Sequence, residues 1–246
     1  MTQVQDAYKN DFENFLSHTD EKEILRAEIS NEIKKYAPAS ILDIGAGNGL
    51  LCIPLSRLVK RYAAIELNAK FCEKLENAGI QVIGSHFPCP IHETFDFVLA
   101  SHVISYSENK YIGFINKAMD AMRPGGVFVL VTFRAQEDDW TRLMRDLGMN
   151  PEDKYRTVFN EMIELLNTFG AVTIRKVVTH VFADSLEDFV QSLCFVATDG
   201  DPKRKEAFLR EYRNMLEKIL DSKYRQDGKY VFPFQHFLIT TIKKDV

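Results

Sequence analysis

Short apolar runs alternate along the chain with segments in which apolar residues recur at helical spacing. The runs predict seven strands, at residues 40–44, 61–66, 80–83, 95–100, 127–133, 172–182 and 233–243. The intervening segments predict helices at 49–58, 69–77, 109–122 and 157–168. This regular alternation of strand and helix predicts an α/β protein whose central sheet is mostly parallel.

Two regions stand outside this alternation. Residues 1–38 indicate helices, because apolar residues recur there at helical spacing. Residues 184–228 indicate a helical insert, with one helix capped by Ser185 and a long amphipathic helix at 203–223. We therefore expect an N-terminal helical segment at 1–39 that packs on the core or forms a lid, a core domain at 40–183 and 229–246, and an insert at 184–228 that walls a substrate pocket.

A glycine-rich turn follows the first predicted strand. The strand carries Asp43, and glycines then occupy every second position at Gly45, Gly47 and Gly49. Glycine tolerates a positive φ and lets backbone N–H groups approach a ligand closely. The dinucleotide fingerprint G-x-G-x-x-G would need a glycine where this chain has Leu50. The spacing therefore speaks against a nucleotide-dependent dehydrogenase, and a tight turn without a ligand is the alternative.

The pattern D-x-G-x-G-x-G resembles motif I of the class I S-adenosylmethionine (SAM)-dependent methyltransferases. The resemblance implies a Rossmann-like fold with a central seven-stranded, mostly parallel sheet and helices on both faces. It also implies SAM as the cofactor and S-adenosylhomocysteine as its product. In that family the acid and the glycine turn hold the methionine part of SAM. Cofactor contacts are therefore expected from Asp43, Gly45, Ala46, Gly47, Asn48 and Gly49.

The end of the second predicted strand carries another acid. Glu66 lies 17 residues after Gly49, where an acid can accept hydrogen bonds from both ribose hydroxyls. The resembled family has its motif II here, and by that resemblance Leu67 would pack against adenine. The alternative is that Glu66 caps the helix that begins near Asn68.

The third strand is followed by Ser85, His86 and Phe87, where the family often has an aspartate that contacts adenine. Either polar side chain could take that role, with Phe87 as an apolar face.

The fourth strand leads into Ser101 and His102, at the position of the family's motif IV. The resemblance implies that this strand end contacts the methionine amino group and faces the transferable methyl group. The N/D-P-P-Y/F sequence of methyltransferases that act on DNA bases or glutamine is absent, which favours a small-molecule acceptor. His102 is the candidate base, because imidazole titrates near neutral pH. The alternative is that His102 bonds only the backbone or the cofactor carboxylate.

Five further side chains complete the predicted site. Tyr106 or His236 could orient the acceptor, and Tyr106 is the second candidate catalytic residue. The predicted substrate contacts are Tyr8, Phe133, Trp140 and His236. The remaining histidines, His18, His92 and His180, show no ligand-like spacing, so no metal is predicted.

Composition narrows the function further. The formal net charge of −4 gives no general attraction to nucleic acid, so no nucleic-acid partner is expected. No apolar run is long enough to cross a bilayer, and the polar N-terminus does not indicate a signal peptide. The four cysteines are scattered, as is typical of free thiols in a reducing compartment, so we expect a cytoplasmic protein. The oligomeric state is not indicated.

The sequence therefore predicts a SAM-dependent methyltransferase that acts on a nitrogen or oxygen of a small molecule. Two alternatives stay open, because the same fold hosts several functions. One is an RNA or protein methyltransferase. The other is a SAM-binding regulatory protein without catalysis.

Overall fold

The computed structural model describes residues 3–104, 110–133, 138–149, 152–198 and 200–244. Its helices are α1 (Gln3–Ser17), α2 (Glu21–Tyr36), α3 (Cys52–Ser56), α4 (Ala69–Asn77), α5 (Lys110–Asp120), α6 (Asp139–Asp146), α7 (Glu152–Phe169), α8 (Leu186–Ala197) and α9 (Pro202–Lys223). Its strands are β1 (Ser40–Ile44), β2 (Arg61–Ile65), β3 (Gln81–Gly84), β4 (Phe95–Ser101), β5 (Met122–Thr132), β6 (Gly170–Ala183), β7 (Arg225–Gln226) and β8 (Lys229–Lys243).

The strands form one mixed sheet in the order β3-β2-β1-β4-β5-β8-β6, and the short β7 pairs with β8. Strands β1 to β5 pair in parallel, whereas β5 and β8 pair antiparallel. The mostly parallel central sheet predicted from the sequence is therefore confirmed, but it has eight strands rather than seven, because the short β7 adds to the edge of β8. The chain leaves β1 toward β2 on one side and returns to β4 on the other. Ligands bind at the carboxyl ends of strands at such a switch point.

Strand β1 shows why helices cover both faces of the sheet. Successive side chains of a strand point to opposite faces. Leu42 and Ile44 accordingly belong to one buried cluster, which also holds side chains of α5 and α7. Ile41 belongs to the other cluster, with side chains of α2, α3 and α4. Burial on both faces explains why the strand is apolar at almost every position.

The chain divides into two compact units. The sheet unit consists of Lys22–Ala135, Asp153–Val177 and His236–Val246, and the helical unit consists of Met1–Glu21, Gln136–Glu152 and Val178–Gln235. The helical unit has its own apolar core, in which α8 and α9 contribute Phe189, Leu193 and Leu220. Within it, the side chain of Trp140 packs against Phe234.

The ends of several elements differ from the sequence predictions. Helix α3 spans only Cys52–Ser56, rather than 49–58, because the glycine turn extends through the preceding residues. Strand β5 begins at Met122 rather than 127, because Met122 already pairs with Phe95. Strand β8 begins at Lys229 rather than 233 and pairs there with β7.

The domain boundaries expected from the sequence, at residues 39, 183 and 228, stay a prediction. Within the described residues, no helix is both long and apolar enough to span a membrane.

A buried carboxylate joins the starts of β1 and β4. Asp96 is 7% exposed, and its Oδ2 atom accepts hydrogen bonds from the backbone N–H groups of Ala39 and Ser40, at 2.9 and 2.8 Å. The hydroxyl of Ser40 donates a third bond at 3.0 Å, and Arg123 forms an ion pair with the same carboxylate. Hydrogen bonds to a charged group contribute more to stability than bonds between neutral groups. We therefore infer that Asp96 fixes where β1 enters the sheet.

Replacing Asp96 with alanine tests this inference. Asp96→Ala should lower the free energy of unfolding by about 3 kcal/mol, because it leaves buried donors without an acceptor. Urea denaturation followed by circular dichroism measures the change. Asp120→Ala is the control, since that side chain is 68% exposed and forms a surface ion pair with Lys117 in α5. Equal stability of the two variants would contradict a structural role for Asp96.

Candidate active site

The glycine turn between β1 and α3 adopts the predicted left-handed conformation. Gly45, Gly47 and Gly49 have φ angles of 75°, 62° and 89°. A Cβ atom on Gly45 would lie 2.2 Å from Cγ1 of Val103, and one on Gly49 would lie 2.5 Å from Cδ1 of Ile53. A Cβ atom on Gly47 would have no described atom within 4 Å. Packing therefore requires two of the glycines, whereas Gly47 faces open space that a ligand can enter.

The carboxylate of Glu66 holds the turn from the end of β2. Its Oε2 atom accepts a hydrogen bond of 2.7 Å from the N–H group of Gly47, and its Oε1 atom accepts one of 2.8 Å from Asn68. The helix cap is Asn68, whose side chain accepts from the N–H groups of α4. Each carboxylate oxygen has two acceptor positions. Glu66 therefore retains acceptor capacity for the two hydroxyls of a ribose.

Asp43 is buried at the end of β1. The carboxyl group is 3% exposed, and its Oδ2 atom accepts a 2.8 Å hydrogen bond from the hydroxyl of Tyr62. Burial raises the pKa of Asp43 from 3.8 to about 7, the charge of Glu66 adds to the rise, and the Tyr62 bond opposes it. An arriving ammonium group would favour the ionised carboxylate. The predicted contact with the methionine part of SAM stays a prediction.

The predicted adenine contacts lie after β2 and β3. Leu67 is 77% exposed directly after Glu66. Ser85 and His86 are exposed beyond the end of β3, and Phe87 is half-buried with its ring 4.8 Å from that of Phe114. The structure thus offers two exposed polar side chains and one exposed apolar side chain for a base. It does not single out one adenine contact.

The end of β4 contacts the glycine turn through Val103. Ser101 and His102 immediately precede this residue, and the N–H group of His102 donates a 2.9 Å hydrogen bond to the carbonyl of Val131. The φ angle of His102 is 56°, a left-handed value that is uncommon outside glycine. Such strain persists only where surrounding structure holds it, and it often marks functional positions. The hydroxyl oxygen of Ser101 is buried with no hydrogen-bond partner among the described residues.

Three aromatic rings meet beside this strand end. The ring of Phe133 stacks on that of His102, with 4.5 Å between centroids, and lies 4.9 Å from that of His236. Nε2 of His102 lies 3.2 Å from Nδ1 of His236, a hydrogen-bond distance. The register of β5 and β8 explains why these rings are close, because Thr132 in β5 pairs with Phe237 in β8. The residues next to that pair are Phe133 and His236.

The residues of the sheet unit fit SAM. Open space over Gly47, the remaining acceptor capacity of Glu66 and the buried hydroxyl of Ser101 would suit a ligand with a ribose and polar amino-acid end. Ala46 is buried in the core, and the side chain of Asn48 accepts a 3.2 Å hydrogen bond from the N–H group of Leu50. These two residues therefore shape the turn, and any cofactor contact by them stays a prediction.

The structure does not bring all predicted site residues together. His102, Phe133 and His236 meet in the sheet unit. Trp140 belongs to the helical unit, where it packs against Phe232 and Phe234. Tyr106 lies outside the described residues, and so does the side chain of Tyr8, although its backbone belongs to α1. The substrate roles of Tyr8, Tyr106 and Trp140 stay predictions.

Sequence reasoning missed two supporting residues. Tyr62 bonds Asp43, and Val103 fills the space that Gly45 leaves open. A signal for Tyr62 was present, because a tyrosine in a fully buried strand needs a partner for its hydroxyl group. The contact of Val103 with Gly45 could not be predicted, because it depends on which strand lies next to β1 rather than on local sequence.

The arrangement of sheet, turn and acidic strand end defines a class I methyltransferase fold. A sequence profile described as "Methyltransferase domain" matches residues 17–180, more than half of the chain. The chain therefore belongs to this family of class I SAM-dependent methyltransferases.

Curated relatives match parts of the chain. The ubiquinone biosynthesis O-methyltransferase of Rhodopseudomonas palustris is 33% identical over 103 residues, which are 37% of this chain and 39% of that protein. The enzyme of the same name from Dinoroseobacter shibae is 25% identical over 56% of this chain and 72% of its own. A nonribosomal peptide synthetase of Salinispora arenicola matches over 1% of its length. The chain thus spans 39% of the length of the Rhodopseudomonas enzyme and 1% of that of the Salinispora synthetase.

Solved structures share the fold. The YcgJ protein of Bacillus subtilis has a TM-score of 0.58 and 16% identity, covering 88% of this chain and 98% of its own. The N-methyltransferase NodS of Bradyrhizobium japonicum has a TM-score of 0.52 and 13% identity, covering 92% and 99%. At these identities the likeness concerns the fold alone.

Gly47→Ala tests whether the open side of the turn is a ligand site. The added methyl group meets no described protein atom, so the fold should survive at a cost of about 1 kcal/mol for the left-handed φ. Affinity for S-adenosylhomocysteine, measured by calorimetry, should fall about tenfold or more, because the methyl group occupies ligand space.

Gly79→Ala is the matched control for that substitution. Gly79 has a φ of 82° and also has no described atom within 4 Å of an added Cβ, but it follows α4 rather than β1. This variant should carry similar strain and keep its affinity for S-adenosylhomocysteine. If the two variants bind it equally well, Gly47 does not face the ligand.

Asp43→Asn tests the raised pKa of the buried carboxyl. The folded pKa of about 7 exceeds the unfolded value of 3.8, so the folded state binds more protons between these values. The contribution of Asp43 to stability is therefore greatest at low pH and falls as pH rises through this window. The stability of Asp43→Asn relative to the unsubstituted protein should increase by about 2.6 kcal/mol between pH 5 and pH 8. Urea unfolding at both pH values measures it, and a constant difference would refute the raised pKa.

Proposed function

We propose that this chain transfers the methyl group of SAM to a nitrogen or oxygen atom of a small-molecule acceptor. Family membership and the fit of the glycine turn and Glu66 support the choice of cofactor. The proposal that the chain is catalytic rests on the position of His102. Its side chain follows β4, its backbone is held in a left-handed conformation, and its neighbour Val103 packs against Gly45 of the turn.

His102 has the chemistry of a general base. An imidazole is the side chain whose ordinary pKa lies closest to neutral pH, so it can accept a proton under ordinary conditions. A base assists when the acceptor begins in its protonated form, as a hydroxyl or ammonium group does. Phe133 stacks against one face of the His102 ring and Nε2 lies beside His236, which limits ring rotation.

Bound SAM supplies a methyl group on a positively charged sulfur, and the sulfur keeps the carbon–sulfur electron pair when the acceptor lone pair bonds the methyl carbon. Residues of this chain supply alignment and proton removal. Glu66 and the glycine turn would hold the cofactor, and His102 would take the proton that the acceptor loses. The half-exposed ring of Phe133, 37% accessible, offers the acceptor an apolar contact beside His102.

Two observations favour a small acceptor. Relatives named for O-methylation in ubiquinone biosynthesis share sequence with this chain, and the structural neighbour NodS is named an N-methyltransferase. The net charge of −4 does not favour a polyanionic substrate such as RNA.

The cysteines bear on the location of the protein. All four are free thiols in the described chain, which fits a reducing compartment. We propose a cytoplasmic location on that basis.

A methylation screen followed by substitution of His102 tests the proposal. The protein is incubated with SAM and a panel of phenols, catechols and amines, and mass spectrometry identifies the compound that gains one methyl group. For that acceptor, His102→Ala should lower kcat by roughly 100-fold or more, the contribution expected of a general base. Its affinity for S-adenosylhomocysteine should change by less than threefold, roughly 0.6 kcal/mol.

The control variant is His92→Ala, because His92 is an exposed histidine that precedes β4. It should keep both turnover and affinity. Parallel losses of turnover and affinity in His102→Ala would assign His102 to the cofactor alone. Binding of S-adenosylhomocysteine without turnover on small molecules, RNA or protein would favour a regulatory protein, and turnover on RNA or protein alone would contradict a small acceptor.

A further inference from the structure

A buried tyrosine and a buried aspartate form a pair at the end of β1, next to the glycine turn. The side chains of Tyr62 and Asp43 are 6% and 3% exposed. The hydroxyl of Tyr62 donates a 2.8 Å hydrogen bond to Oδ2 of Asp43. Aspartates are almost never buried this completely without a partner. The tyrosine hydroxyl therefore replaces a hydrogen bond that water would otherwise supply to this carboxyl group.

The register of β1 and β2 explains why the two side chains meet. Tyr62 pairs with Ile41, and Asp43 follows Ile41 by two residues, so all three side chains point to the same face of the sheet. A diagonal neighbour on an adjacent strand lies within reach of an aromatic side chain. Tyr62 therefore reaches Asp43 from the side of Ile41, which is opposite to the side of the glycine turn.

Ionisable groups on three sides act on the carboxyl group of Asp43. Burial raises its pKa to about 7, the bond from Tyr62 lowers it, the charge of Glu66 raises it, and the charge of Lys22 in α2 lowers it. Burial also raises the pKa values of Tyr62 and of Cys52 in α3, so both stay protonated near neutral pH. The bond from Tyr62 is the larger of the two effects that favour an ionised Asp43.

We propose that Tyr62 is a positioning residue for SAM, whose hydroxyl holds Oδ2 of Asp43 so that the carboxylate can bind the ammonium group of the methionine part. The proposal rests on the proposed function, because it takes SAM as the ligand and uses the predicted contact with Asp43. A carboxylate has about four acceptor positions, and the bond from Tyr62 uses one of them. Tyr62 itself does not contact the cofactor or the acceptor in this scheme.

This role makes the affinity for the cofactor depend on pH in a definite direction. An ammonium group is attracted to the ionised form of Asp43, so affinity should rise as pH rises through the pKa of this carboxyl group. Without the hydroxyl of Tyr62 that pKa should be higher, and a higher pH should be needed for the same ionised fraction. A tyrosine needed only for packing would instead weaken binding by the same factor at every pH.

Tyr62→Phe tests this role, since it removes the hydroxyl group and keeps the ring. Calorimetry measures the affinity for S-adenosylhomocysteine, which carries the same ammonium group, at pH 6 and pH 8.5. Loss of a hydrogen bond to a charged group should move the ionisation of Asp43 upward by about one pH unit. Tyr62→Phe should then bind roughly ninefold more weakly than the unsubstituted protein at pH 6, and within about twofold of it at pH 8.5.

Nuclear magnetic resonance tests the bond without a ligand. The carboxyl carbon of Asp43 is followed through a pH titration in protein with ¹³C-labelled aspartate, and Asp43→Asn assigns the signal. The titration midpoint should lie at a higher pH in Tyr62→Phe than in the unsubstituted protein, because the hydroxyl no longer stabilises the charge.

Tyr111→Phe is the matched control for both measurements. Tyr111 is 4% exposed, and its hydroxyl donates a 2.6 Å hydrogen bond to Oε2 of Glu161, so it is also a buried tyrosine bonded to a carboxylate in the sheet unit. It connects α5 with α7 rather than β2 with β1. This variant should keep the titration midpoint of Asp43 and the affinity at both pH values. Circular dichroism shows whether each variant folds.

Three results would overturn the role of Tyr62. They are an unchanged titration midpoint of Asp43 in Tyr62→Phe, equal affinities of the variant and the unsubstituted protein at pH 6, and a loss of affinity by the same factor at both pH values. Failure of the proposed function looks different. If the unsubstituted protein does not bind S-adenosylhomocysteine, the choice of cofactor is wrong and the role of Tyr62 fails with it. If binding follows the expected pH dependence but no acceptor is methylated, catalysis is refuted and the role of Tyr62 stands.

Discussion

The bond between Glu66 and Gly47 is the constraint on which the candidate site depends. The glycine turn would otherwise be free to move, since its φ angles near 60° to 90° are ones that glycine adopts at little cost. Oε2 of Glu66 holds the N–H group of Gly47 at 2.7 Å, and the N–H group of Gly45 donates to the carbonyl of Ile65. The turn is thereby fixed to the end of β2, with the side of Gly47 that lacks a Cβ atom facing open space.

Fixing the turn also sets the position of the proposed base. Gly45 has no side chain, so Val103 packs directly against it, and this contact brings the end of β4 to the turn. His102 precedes Val103, and the antiparallel pairing of β5 with β8 places His236 next to it. Two acids and two histidines are therefore placed by backbone geometry. Burial then adjusts their chemistry, as the raised pKa of Asp43 shows.

The sequence predicted those parts of the structure that depend on local pattern. The buried strands are apolar at consecutive positions, and the alternate glycines mark the turn after β1, so both were identified correctly. The length of α3 was overestimated, because an apolar pattern does not reveal that the turn continues to residue 51. The contact between His102 and His236 joins residues 134 positions apart. It depends on which strand lies beside β5, and no local pattern specifies that neighbour.

A crystal structure of the protein with S-adenosylhomocysteine tests the central claim most directly. The account predicts that both ribose hydroxyls of the ligand donate to the carboxylate of Glu66, while its amino-acid end lies along the turn beside Gly47. Glu66 should keep its bond to the turn, because its oxygens have acceptor positions for both partners. A ligand bound elsewhere, or a sugar that makes no contact with Glu66, would contradict the account.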